Sequence, residues 1–172
     1  MRPLLCVFLL MFGWQLLSAQ DENKPCKCCN EAYRQFDFWV GDWETYNADG
    51  KIVGTNHIKI LQDSCVIQEN WSSSGGAFTG TSYNFYDANT KQWHQTWVDN
   101  QGGNLQLSGH WTDSTMVMYS RPAVDPQGKN YLNRITWTPF PNGNVQQLWE
   151  VSNDYGSTWS VLFNGLYKLK EQ

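Results

Sequence analysis

The stretch GTSYNFYDANTKQWHQTWVD, residues 80–99, decides how the rest of the chain is read. It is rich in Tyr, Phe, Trp and Thr, residue types that fit a pleated, half-buried surface. Before Asn89-Thr90, the set Phe78, Gly80, Ser82, Asn84, Tyr86 alternates with Thr79, Thr81, Tyr83, Phe85. After it, Trp93, Gln95 and Trp97 form an aromatic face with Asp99 at its rim. A period of two is that of a strand, so the stretch predicts two strands joined by a tight turn.

The same grammar extends in both directions. Candidate strands are 38–47, 51–61, 64–72, 77–87, 91–99, 104–112, 115–121, 131–139, 144–152 and 158–169. Turn residues separate them: Asp49-Gly50, Gln62-Asp63, Gly75-Gly76, Gly102-Gly103, Pro141-Asn142-Gly143 and Asp154-Tyr155-Gly156. No segment keeps a 3.6-residue apolar period, and only Glu31 to Gln35 offers a short helical turn. About ten strands on short links imply an all-β antiparallel meander, closed as a barrel or folded as a two-sheet β-sandwich. The barrel is the expected form, because closure removes exposed edges. A propeller would need more blades than ten strands supply.

The chain opens MRPLLCVFLLMFGWQLLSAQ: one Arg, an apolar run, then small residues. This reads as a signal peptide over 1–20 and predicts a secreted or periplasmic protein, with no stable membrane insertion after cleavage. Residues 21–35 read as a Cys-containing tether and 36–172 as one barrel domain. Losing Arg2 with the leader takes the formal charge from −4 to −5. No basic run is present, which argues against nucleic acid as a partner.

Cys26, Cys28, Cys29 and Cys65 remain after the leader. In an exported chain one of the cluster is expected to staple the tether onto the barrel at Cys65. The alternative is that C-K-C-C offers thiolates to a soft metal. A Cys28–Cys29 bridge would close a strained ring.

Further motifs carry a resemblance. FDFWVGDWETY, with Gly41-Asp42-Trp43 opening a strand, resembles the G-x-W start of calycin barrels such as lipocalins. The ordered series FDFWVGDWE, CVIQENW, GTSYNFYD, WHQTWVD, LWEVSNDYGSTW and FNGLY resembles a bacterial exported family of lipocalin-like domains of unknown function, near the DUF1579 and nitrobindin-like groups. The likeness covers most of 36–168 and implies a barrel of about ten strands with an internal cavity. Nitrobindin-like relatives hold haem through a histidine near the last strand. SVLFNGLYKL has none, so no cofactor is expected.

Alternation assigns the inner face. It takes in Cys65, Ile67, Glu69 and Trp71; Ile52, Gly54, Asn56, Ile58 and Ile60; Asn84 and Tyr86; and Trp93, Gln95 and Trp97. Val145, Gln147, Trp149 and Val151 follow, then Trp159, Val161, Phe163 and Tyr167. The expected ligand-binding residues are Asn56, Glu69, Asn84, Tyr86, Trp93, Gln95, Trp97, Arg134, Gln147, Trp149 and Tyr167. Arg134 is ambiguous in phase, since Ile135 and Trp137 claim the face opposite it; pointing inward, it would anchor a ligand carboxylate. Glu69 is the candidate general acid or base, its pKa raised by desolvation. His57, His94 and His110 alternate away from the inner faces, so no metal site is expected.

The function expected is binding of a small amphipathic or aromatic molecule. One alternative is an enzyme on the same barrel, an isomerase, cyclase or hydrolase using Glu69. The other is a glycan-binding module, prompted by SNDYGSTW, residues 152–159, which resembles the Asp-box hairpin of sialidases. That motif recurs through a propeller, and this chain has one copy. It therefore reads as the clasp of the last hairpin, with Asp154 bonding across the turn and Gly156 at positive φ.

Overall fold

The computed structural model describes residues 26–171; the expected signal peptide and the first part of the tether lie outside them. A short helix α1 (Glu31–Arg34) is followed by eleven strands. These are β1 (Gly41–Tyr46), β2 (Ile52–Leu61), β3 (Val66–Ser73), β4 (Thr79–Asp87), β5 (Gln92–Asp99), β6 (Asn104–Thr112), β7 (Thr115–Tyr119), β8 (Ala123–Val124), β9 (Asn130–Pro139), β10 (Val145–Ser152) and β11 (Ser160–Leu169). Neighbours pair antiparallel from β1 through β7 to β9, β10 and β11, and β11 pairs back with β1. The result is a closed ten-stranded barrel, with β8 outside it on the edge of β9. The sandwich alternative is thereby replaced by a closed barrel, whose ten strands each have a neighbour on both sides.

Three local departures from the alternating pattern have physical causes. Asp37–Trp39 winds into a 3-10 turn instead of opening the first strand. Residues three apart eclipse in that geometry, which brings Phe36 and Trp39 onto one face. Their rings stack at 5.0 Å, and both are 0% exposed. Between the strands expected at 115–121 and 131–139 lies β8, a two-residue pairing with β9. The third departure is a register shift at Trp149/Glu150 where β10 meets β11. An extra residue there reverses the facing beyond it. Val161 is accordingly exposed and Trp159 lies outside, against Arg134 and Tyr119, while Phe163 and Tyr167 stay inward. Ile52 and Ile60, also expected inside, are exposed at the two ends of β2.

The N-terminal segment stoppers one end of the barrel. Phe36 makes edge contacts with Trp93 at 5.6 Å and Trp137 at 5.2 Å, and Trp39 approaches Trp137 and Tyr167. The Trp93 indole N–H donates to Gln35 Oε1. Cys28–Cys65 ties this segment to the β2–β3 turn, and Cys26–Cys29 forms a second, local bridge. All four sulfurs are therefore in bridges, which overturns the thiolate-metal alternative.

Candidate functional site

Because one end is filled by Phe36 and Trp39, the free interior lies toward the other end. A cavity of about 630 Å³ opens there. Ten strands enclose a wider interior than an eight-stranded barrel, whose side chains can fill it. Trp71, Phe78, Trp97, Leu105, Trp149 and Phe163 wall the cavity, and the β1–β2 turn places Asn47 and Asp49 at its mouth. Deeper in stand Glu69, Gln95, Gln147 and Tyr167. Glu69 is 4% exposed and Tyr167 1%, so the polar groups form the floor beneath half-buried aromatic walls.

Two of the wall rings lie against glycines. A Cβ at Gly80 would stand 2.0 Å from the Trp97 ring, and one at Gly54 would stand 2.5 Å from the Trp71 ring. Only a residue without a side chain lets an indole press onto the strand backbone in this way. The glycines thereby widen the interior while keeping its surface aromatic.

The floor is a connected polar network. Asn56 Nδ2 donates to Glu69 Oε1 at 2.7 Å, and Ser82 Oγ donates to Glu69 Oε2 at 2.6 Å. Asn84 Nδ2 donates to Ser82 Oγ at 2.9 Å and to the Ile67 carbonyl at 3.1 Å. Gln95 Nε2 donates to Asn84 Oδ1 at 2.9 Å. The Tyr167 hydroxyl donates to Gln147 Oε1. Asn56 Oδ1 is buried without a protein hydrogen-bond partner. Buried polar atoms ordinarily find partners, and an orphan is worth 1–3 kcal/mol on the order of magnitude.

Electrostatics follow from burial. Desolvation pushes the Glu69 carboxyl up to about 7, against the opposing hydrogen bonds from Ser82 and Asn56. Burial, then the charge of Glu69, raises the Tyr167 phenol far above its usual range. Among the described residues no Lys, Arg or His forms an ion pair with Glu69.

The residues singled out in the sequence divide into three groups. Glu69, Gln95, Trp97, Gln147, Trp149 and Tyr167 share the cavity. Asn56 and Asn84 stand behind it in the network, fully buried. Trp93 and Tyr86 belong to the stoppered half, packed on Phe36 and Tyr33. Arg134 does not enter the barrel at all. Its Nε and Nη2 donate to Glu150 Oε2 at 2.9 and 2.8 Å, and its guanidinium lies 4.1 Å over the Trp159 ring. Ile135 holds the inner position next to it, so Arg134 cannot anchor a ligand in the cavity. His57 pairs with Asp42, His94 stacks on Phe85 and His110 reaches Gln92, all on the outer surface.

Some of the site was missed. Ser82 sits in the same alternating set as Asn84, and Trp71 and Phe163 sit in inward sets, yet none was singled out as a site residue. Leu105, Leu107 and Gly109 alternate within 104–112, a signal that points Leu105 inward. Nothing local in Asn47 or Asp49 marks a cavity mouth.

The SNDYGSTW hairpin joins β10 to β11. Asp154 accepts from the Thr158 N–H at 2.8 Å, the Thr158 hydroxyl at 2.6 Å and the Ser152 hydroxyl at 2.7 Å. These bonds hold its carboxyl near 2. The Trp159 indole N–H donates to the Gly156 carbonyl, and Gly156 takes φ 93°. Of the nine described tryptophans, Trp39, Trp43, Trp93 and Trp137 are buried and the other five are partly buried.

The site offers one carboxyl that titrates near neutrality, surrounded by amides, a hydroxyl and a phenol. The other titratable groups on the cavity are the Tyr167 phenol and, at the mouth, Asp49. Among known proteins, no family model and no curated protein matches the chain.

Proposed function

We propose that this barrel binds a small amphipathic molecule in the cavity, its apolar body between Trp71, Trp97 and Trp149 and its polar end at Glu69. The observation that carries the reading is the polarity gradient of the interior. Aromatic walls stand above a floor of Glu69, Gln95 and Gln147, which is how ligand pockets combine apolar contact with a few oriented polar groups. The sequence series from FDFWVGDWE to FNGLY supports kinship with lipocalin-like exported barrels. The two disulfides and the opening MRPLLCVFLLMFGWQLLSAQ support work in an oxidising compartment outside the cytoplasm.

The neutral fluorophore N-phenyl-1-naphthylamine tests the cavity. It is expected to bind one per chain and to quench tryptophan emission by energy transfer. Gln147→Trp, which places another indole in the space, is expected to abolish binding while the far-ultraviolet circular dichroism is kept. Failure of the unmodified protein to bind the probe would refute the reading.

A further inference from the structure

We propose that the cavity is selective for organic cations: an amphipathic amine or quaternary ammonium, its charged head at Glu69 and its body against the tryptophans. This deepens the small-molecule reading above and rests on it.

The charge of the lining is one-sided. Its acids are Glu69 on the floor and Asp49 at the mouth, and among the described residues it includes no Lys, Arg or His. A ligand carboxylate or phosphate would meet a carboxyl with no cation to hold it. Burying an ionised carboxylate unpaired is costly, so an interior acid either stays protonated or is matched by a positive partner. The protein supplies no such partner to Glu69 among the described residues. The geometry also leaves room for one. Each Glu69 oxygen receives a single hydrogen bond, from Asn56 or Ser82, and a carboxylate oxygen can accept two.

The walls point the same way. A neutral apolar ligand is served equally well by aliphatic side chains, whereas the cavity is walled by Trp71, Trp97 and Trp149. An indole face attracts a cation within about 6 Å of its centroid, most strongly where water is excluded. Gly54 and Gly80 hold two of these indoles back against the strands, so the rings border a space and do not fill it. When the acid is protonated in the empty barrel, entry of a cation releases one proton to solvent, and charge balances.

Competition against N-phenyl-1-naphthylamine decides the matter, using benzyltrimethylammonium, its neutral isostere neopentylbenzene and the anion phenylacetate. At pH 8 the cation is expected to bind at least about tenfold more tightly than the isostere, with phenylacetate weakest. Glu69→Gln, its fold checked by near-ultraviolet circular dichroism, is expected to bring cation and isostere within about threefold of each other. Glu69 titrates at about 7, and the other titratable groups on the cavity are Tyr167 and Asp49. Affinity for the permanent cation therefore rises about tenfold from pH 6 to pH 8, while that of the isostere does not. Equal binding of cation and isostere, or a preference that survives Glu69→Gln, overturns the inference and leaves the cavity reading standing if the fluorophore binds. If the fluorophore fails too, both fall.

Discussion

The Trp97 indole lies where a side chain of Gly80 would be: a Cβ built on Gly80 would stand 2.0 Å from ring carbon Cζ2. The two residues sit on adjacent strands, Gly80 opposite Asp99 and Trp97 opposite Ser82, so the ring reaches diagonally across the sheet. Gly80→Ala must push the indole away from the backbone and into the cavity. The expected cost is about 1–3 kcal/mol, the range for overpacking a filled site. Fluorophore affinity is expected to fall at the same time. Urea unfolding and probe titration of the variant check both, and an unchanged affinity would show that Trp97 does not wall the binding space.

Glu69 makes folding pH-dependent. Its carboxyl titrates at about 7 in the barrel against 4.5 for an ordinary glutamate, so the folded state keeps the proton where the unfolded chain has lost it. The stability linked to this group is fully present below about 4.5 and is lost as pH rises through 7. The shift corresponds to about 3 kcal/mol. Unfolding free energies of the unmodified protein and Glu69→Gln, compared between pH 4 and pH 8, are expected to diverge by about that amount in favour of the variant at pH 8. Parallel profiles would contradict the assignment.

The stopper is expected to be a large part of the barrel's stability. Phe36 is wholly buried and touches Trp39, Trp93 and Trp137. Phe36→Ala removes a ring from the centre of that cluster and is expected to cost about 3–5 kcal/mol. A loss under 1 kcal/mol by denaturant titration would mean that the segment is not seated in the barrel.

The two disulfides differ in what they close. Cys28–Cys65 spans 37 residues and Cys26–Cys29 spans 3. On chain-entropy grounds their loss costs about 4 and about 2 kcal/mol. The double variants Cys28→Ser/Cys65→Ser and Cys26→Ser/Cys29→Ser, compared by urea unfolding, are expected to rank in that order. The reverse order would mean that the short bridge secures the stopper.

Much of this was legible in the sequence because a strand repeats every two residues. Asn56, Glu69, Gln95 and Gln147 could be assigned inward from their apolar companions alone, and the desolvated state of Glu69 followed from that placement. What escaped was whatever breaks the period. The register shift at Trp149/Glu150 turned Val161 and Trp159 outward, and no residue type announces such a shift. Phe38-Trp39-Val40 reads as the start of a strand over 38–47 because its residues are apolar and aromatic, yet the 3-10 turn buries Phe36 and Trp39 together. Arg134 was ambiguous because its environment is assembled from Glu150 and Trp159, distant in sequence and set by the same shift. The cavity mouth at Asn47 and Asp49 depends on barrel closure, a property of the whole sheet.

The most direct test of the account is a crystal structure of the protein soaked with N-phenyl-1-naphthylamine. The account predicts the probe inside the barrel, its rings bordered by Trp71, Trp97 and Trp149 and its amine toward Glu69. Probe density only on the outer surface, with the interior unchanged, would contradict it.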